Sequence, residues 1–198
     1  MLRRNSKILI YGANLWYFGE GMLGPLFAIF TQRIGGDILD VTWAWATYLM
    51  IMGFCYILFG KLADGKYNKK KMMIFGYALN ALCTFGYLLV SEPWHLLIVQ
   101  TGLGVASALA TPTWDALFAK YEDKKHDGFH WGLAGGEAHI ITGLAIIIGG
   151  LIVNYFSFNF LFLTMGIIQV IATIYQTQIL RKKSLSSSHE GMIKSLFP

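Results

Sequence analysis

Six stretches of this chain are each apolar over about the length that one helix needs to cross a lipid bilayer: Ile8–Phe30, Trp43–Gly60, Met72–Val90, Trp94–Leu117, Trp131–Val153 and Phe158–Leu180. A hydrocarbon core about 30 Å thick takes roughly 20 helical residues. No water is available at that depth, so only helices and closed barrels satisfy the backbone polar groups. Barrel strands would be about 10 residues long and would alternate apolar with polar positions. These stretches are longer, unbroken and rich in Gly and Ala. The fold class they imply is an all-α membrane protein of six transmembrane helices, with short connections that make successive helices antiparallel.

Composition agrees with lipid as the surrounding partner. Of the 198 residues, 14% are charged and 55% hydrophobic, whereas soluble domains carry about 25% charged residues. A chain this short cannot hide so much apolar surface in a core of its own. Residues 1–183 are therefore expected to form one bundle with no soluble domain. The Ser-rich segment 184–198 reads as a mobile cytoplasmic tail. Arg3, Arg4 and Lys7 look like the start of a secretory signal. The apolar run after them is too long for one and no small-residue cleavage site follows, so the first helix is expected to stay attached.

The net charge of +5 would suit a nucleic acid if the basic residues formed a patch. They do not. Counted over alternate connections, the N-terminus, the 60–71 link, the 120–130 link and the segment after Leu180 hold 15 Lys and Arg, and the other side holds Arg33 alone. That asymmetry is the positive-inside pattern, so both termini are expected in the cytoplasm and no nucleic-acid partner is implied. Trp43, Trp45, Trp94, Trp114 and Trp131 fall at helix ends, as in an aromatic belt. Cys55 and Cys83 lie at depths that differ by roughly 10 Å, too far for a disulfide, and read as packing residues.

Helices 1 and 4 alone mix glycines with a proline: Gly24 and Pro25 follow Gly19 and Gly21 in the first, and Gly102, Gly104 and Pro112 lie in the fourth. Interrupted helices in corresponding places of two repeats mark the solute path of many secondary transporters. A 3+3 inverted repeat would place them so. Gly102, Ala106 and Ala110 share one face of helix 4, and helix 5 is rich in glycine, which lets backbones approach closely in lipid.

Between helices 2 and 3 stands the segment GKLADGKYNKKK, residues 60–71. Lysines there obey the charge asymmetry, but that rule does not account for Gly60, Leu62 and Asp64 in register. The segment resembles the signature loop of the major facilitator superfamily, which reads roughly Gly-x-Leu-Ala-Asp-Arg-x-Gly-Arg-Arg-Lys. Gly60, Leu62, Ala63 and Asp64 match; with Gly65 as an insertion, Lys66, Tyr67, Asn68, Lys69, Lys70 and Lys71 follow the pattern. Arg is replaced by Lys throughout, which weakens bidentate pairing. The link PTWDALFAKYEDKKHDGFHWG and the segment GLAIIIGGLIVNYFSFNFLF resemble the same family, so the likeness runs over nearly the whole chain. It implies that Asp64 latches against a neighbouring helix end and basic groups, with Lys66, Lys69 and Lys70 beside it and Asp115 as a second acceptor for the lysines.

Ionisable residues inside the bilayer are costly and are functional candidates by default. Glu20 lies 13 residues from both Lys7 and Arg33, near the midplane. Trp16 and Tyr17 precede it by four and three residues and share its helix face. A carboxylate flanked by rings suits a cationic or aromatic solute, a sugar, or a coupling proton. Glu137 and His139 enter helix 5 but point about 200° apart, so they form no single site unaided. Asn14 and Gln100 are candidate hydrogen-bond donors to the same solute path. Drug exporters of the resembled superfamily often carry an arginine in helix 4, where this chain has Ile98.

No phosphate-binding loop, metal-ligand spacing or nucleophile–base pair is present, so no cofactor, no metal and no enzymatic activity are expected. The resulting expectation is a half-size or truncated superfamily unit in the cell membrane, plasma or bacterial inner. It would move a small solute by alternating access beside a second six-helix bundle, either another copy or a missing C-terminal half. A non-transporting membrane scaffold or regulatory fragment is the alternative. If Asp64 latches the bundle, Asp64→Asn lowers solute flux by roughly tenfold, the worth of one charge-assisted hydrogen bond, without changing membrane insertion. Unchanged flux in proteoliposomes would remove the latch.

Overall fold

The computed structural model describes residues 3–65 and 67–181. The expected tail and the gating role of Lys66 lie outside those residues. Within them the chain is helical, without strands: α1 Arg4–Gly21, α2 Leu26–Arg33, α3 Ile38–Asp64, α4 Lys69–Gly86, α5 Pro93–Tyr121, α6 Asp127–Tyr155 and α7 Phe158–Gln176. Short 3-10 turns, Tyr87–Leu89 and Thr177–Leu180, extend α4 and α7. Five of these elements, α3 to α7 with those extensions, are long and apolar enough to cross a membrane.

The first apolar segment is not one straight helix. Gly24 and Pro25 sit in a four-residue turn, 22–25, between α1 and α2. Pro25 has no N–H to donate, so the ladder cannot run through it regularly. Met22 and Pro25 keep right-handed helical dihedrals, and tightened bonds, Leu23 N–H to Glu20 O at 3.3 Å and Phe27 N–H to Gly24 O at 3.2 Å, carry the chain across. The fourth segment corrects the expectation drawn from composition. Gly102, Gly104 and Pro112 do not break α5, which runs unbroken from Pro93 to Tyr121. Next to Pro112 the buried Thr113 hydroxyl donates to the Leu109 and Ala110 carbonyls at 2.7 and 2.9 Å, the kind of side-chain bonding that lets a membrane helix tolerate proline. A Cβ on Gly104 would stand 2.8 Å from the Tyr48 carbonyl oxygen. That glycine serves close helix approach.

The link between helices 2 and 3 is also shorter than its composition implied. Helix α3 continues past Gly60 and Leu62 to Asp64, and the Asn68 side chain caps α4 by accepting from the backbone amides of Lys70 and Lys71. Lysine, leucine and alanine are good helix formers, so α3 runs on to Asp64 before α4 starts at Lys69. At the far end, Asp37 and Asp40 form a reciprocal capping box at the start of α3, and Ser157 caps α7.

Helices α3 and α4 pack on α5, α1 packs on α6 and α7, and α4 crosses α7. Two clusters of buried side chains fill the bundle. One gathers Phe27, Phe30, Tyr87, Phe158 and Phe162; the other gathers Leu9, Met73, Leu117, Phe118 and Ile179. Ser6 Oγ donates to the Tyr121 carbonyl at 2.8 Å, and Lys70 Nζ to the Ile179 carbonyl at 2.8 Å. These contacts gather the starts of α1 and α4 with the ends of α5 and α7 at one end of the bundle. Arg33 lies at the other end, over the Phe158 ring.

Glycine sets the tightest of these crossings. A Cβ on Gly149 of α6 would collide with the Met22 carbonyl, whereas one on Gly150 would meet nothing. Gly149→Ala is expected to lower the thermal midpoint in detergent, at a cost of about 1–3 kcal/mol for overpacking, while Gly150→Ala leaves it unchanged. Equal midpoints for the two variants would mean that α6 is free to shift off α1.

Candidate functional site

Glu20 sits in the last turn of α1, just before the break. It lines a cavity of about 130 Å³ whose wall also includes Phe27, Trp45, Tyr48, Tyr87 and Gln100. Gln100 is buried and faces this space from α5. The cavity is thus assembled from α1, α2, α3, α5, α7 and the end of α4. Phe27 and Trp45 meet edge to face at 5.9 Å, and Trp45 and Tyr48 do the same at 5.9 Å. The Tyr48 hydroxyl donates to Ser107 Oγ at 3.1 Å, and the Thr84 hydroxyl, also on the wall, to the Asn80 carbonyl at 2.8 Å.

Of the three residues expected to act together on α1, Trp16 and Tyr17 share a small cleft of about 50 Å³ with Tyr77 and Trp114, and Glu20 does not line it. Trp16 is buried, with its ring 4.6 Å from that of Tyr77 and its carbonyl accepting from Gln169 Nε2 at 3.0 Å. Tyr17 is half-exposed and faces a wide groove of about 530 Å³ between α1, α5 and α6, lined by Trp114, Asp115, Trp131 and His139. Of the three, only Glu20 lines the cavity with Trp45 and Tyr48.

The structure pairs Asn14 with Glu137. Asn14 Nδ2 donates to Glu137 Oε2 at 2.6 Å and ties α1 to α6. His139 stays separate, its Nδ1 2.7 Å from the Gly135 carbonyl oxygen, with its ring on the groove. Asp115 does not serve the lysines as expected. The Tyr56 hydroxyl donates to it at 3.1 Å, joining α3 to α5, and no lysine among the described residues bonds to it.

These helices carry the sequence pattern of a known group. The family model described as Major Facilitator Superfamily matches residues 9–193. The chain belongs to the major facilitator superfamily. It is 26% identical over 173 residues to an uncharacterized MFS-type transporter of Methanocaldococcus jannaschii, a match covering 87% of the chain and 45% of that relative. It is 25% identical over 154 residues to an uncharacterized MFS-type transporter of Bacillus subtilis, covering 78% of the chain and 34% of the relative. The chain therefore spans less than half the length of either. Superfamily membership and the apolar helices make it a multi-pass membrane protein.

The superfamily loop takes a different form from the one its signature implied. Gly60, Leu62 and Asp64 lie on the last turns of α3, and Asp64 accepts from Lys69 Nζ at 3.0 Å with its side chain 81% exposed. An exposed pair of this kind contributes about 0–1 kcal/mol. That pair joins the end of α3 to the start of α4, and Lys70 reaches a further helix end through the Ile179 carbonyl. Beyond α5, Asp123 accepts from the Lys125 backbone amide at 3.2 Å. That bond first, and the His126 side chain second, hold its carboxyl below the usual carboxylate range.

Tyr48, Tyr56, Asn80, Gln169 and Gln176 were not singled out from the sequence. Asn80, Gln169 and Gln176 are fully buried, and each has a side-chain atom without a hydrogen-bond partner among the described residues. The signal available was an uncharged amide inside an apolar span, which is quieter than a charge. For the α1–α6 tie, Asn14→Leu leaves the half-buried Glu137 carboxylate without its donor. It is expected to lower unfolding stability by about 1–3 kcal/mol. Glu137→Gln, which keeps an acceptor, loses less. Denaturant midpoints in detergent that rank the two variants the other way would show that the pair is not a structural tie.

Proposed function

We propose that the chain is one six-helix half of a secondary transporter that moves a small solute by alternating access. The observation that carries this reading is Glu20, a carboxylate in the last turn of α1 that lines a cavity beside a helix break. Broken helices and ionisable side chains at the midplane are what such transporters use to hold solute and coupling ion. Counting α1 and α2 as one span gives six. Exchanging the first three spans with the last three maps the α1–α6 packing onto α5–α3, and α1–α7 onto α5–α4, and returns α4–α7 to itself. This supports the 3+3 inverted repeat.

A second bundle completes the proposal. Helices α3 and α6 carry long exposed apolar faces, with Phe54 and Ile57 on one and Ile140 and Ile147 on the other. Helix α6 also lines the groove of Tyr17, Asp115 and His139, which supports a solute path beside the face where a second copy or a C-terminal half would dock. All described Lys and Arg except Arg33 belong to one end of the bundle, which supports cytoplasmic termini in a cell membrane. The exposed Asp64 remains the latch candidate, with Lys69 and Lys70 beside it. We assign no enzymatic role and no cofactor.

One observation favours a second reading. The chain has five long apolar helices, and the outer faces of α3 and α6 are bare, which also suits a non-transporting scaffold or regulatory fragment. Proteoliposomes holding the chain with its second bundle, screened for solute counterflow, separate the two. Transport predicts saturable flux that Glu20→Gln lowers by about tenfold or more, the worth of one lost charge-assisted contact. A well-inserted protein with no flux for any solute, or with flux indifferent to Glu20, leaves the scaffold reading.

A further inference from the structure

Resting on the transporter reading, we infer that the Glu20 cavity is a binding site for a small organic ammonium group. The wall joins one carboxylate to four aromatic rings, those of Phe27, Trp45, Tyr48 and Tyr87. The edge-to-face angles of 73° between Phe27 and Trp45 and 89° between Trp45 and Tyr48 turn successive rings to face different directions, as the sides of a box do. A cation over such ring faces is attracted by their quadrupoles, the more so when water is excluded. Trp45 is 46% exposed and stands at the open side, while Phe27 and Tyr87 are buried.

The charge balance points the same way. None of the residues lining the cavity is basic, and among the described residues Glu20 belongs to no ion pair. Of the three hydroxyls on the wall, Tyr48 and Thr84 donate elsewhere, to Ser107 and to the Asn80 carbonyl. Those two present lone pairs to the cavity, and no cation on its wall balances the carboxylate. Glu20 is half-buried and without an ion-pair partner, and a ligand cation supplies one. At about 130 Å³, the space equals roughly four water volumes, which suits a compact substituted ammonium. A bare metal ion would prefer more oxygen ligands and gain little from the rings.

The test is equilibrium binding, independent of flux. The full chain is purified in detergent and titrated with choline and, separately, with its uncharged isostere 3,3-dimethylbutanol, read by intrinsic tryptophan fluorescence and by calorimetry. The expected result is saturable choline binding, at least tenfold tighter than the alcohol. Trp45→Leu, at a half-exposed position whose loss spares the core, weakens choline about tenfold. Glu20→Asp retains measurable binding that Glu20→Gln loses. Equal affinity for choline and the alcohol, displacement by sodium at the same concentration as choline, or no binding up to millimolar choline would each overturn the inference. Any of these would leave the transporter reading standing, whereas choline binding without flux would retain the site and remove that reading.

Discussion

The architecture rests on backbone meeting backbone without side chains between. In lipid the apolar surface of a helix gains nothing by touching another, so association depends on van der Waals contact and on polar groups that find partners. Gly149 of α6 lies against the Met22 carbonyl at the α1–α2 turn, and Gly104 of α5 lies against the Tyr48 carbonyl of α3. Gly76 of α4 does the same against the backbone of α5 at Ala106 and Ala110. These seats fix how far apart the helices stand, and every cavity in the bundle is what those separations leave over.

The cavity at Glu20 follows from them. Where α1 gives way to α2, the chain cannot pack as a regular cylinder, and the aromatic residues of α2, α3 and the end of α4 close around the gap. Polar groups elsewhere in the bundle act as ties. Asn14–Glu137, Tyr56–Asp115 and Tyr48–Ser107 each join two different helices. Glu20 faces a cavity and belongs to no ion pair among the described residues.

What the sequence made legible was whatever depends on one helix at a time. Apolar length gave five of the spans, the Lys and Arg asymmetry gave the common basic end, and a lone carboxylate in an apolar run pointed to Glu20. What it hid depends on neighbours. Glycine with proline breaks the chain at Gly24 and Pro25 but not at Pro112, because a threonine beside Pro112 bonds the carbonyls around it and the glycines of α5 are occupied by α3 and α4. Asp115 read as a lysine partner by its position near a helix end, yet Tyr56 on another helix reaches it first. The aromatic wall was hidden for the same reason: Phe27, Trp45, Tyr48 and Tyr87 belong to three different spans and have no common sequence spacing.

The contact between α1 and α7 has a mechanical meaning. Gln169 and Gln176 stand seven residues apart on α7 and lie over Gly19 and Gly12, seven apart on α1, as teeth over two notches. Sliding one helix along the other by a single residue would drive an amide against a side chain and lose the bond from Gln169 to the Trp16 carbonyl. The gearing therefore has one register. Helices locked in this way bend or rotate together or not at all, so this part of the molecule is a stiff lever arm, and large displacements are left to the bare faces of α3 and α6.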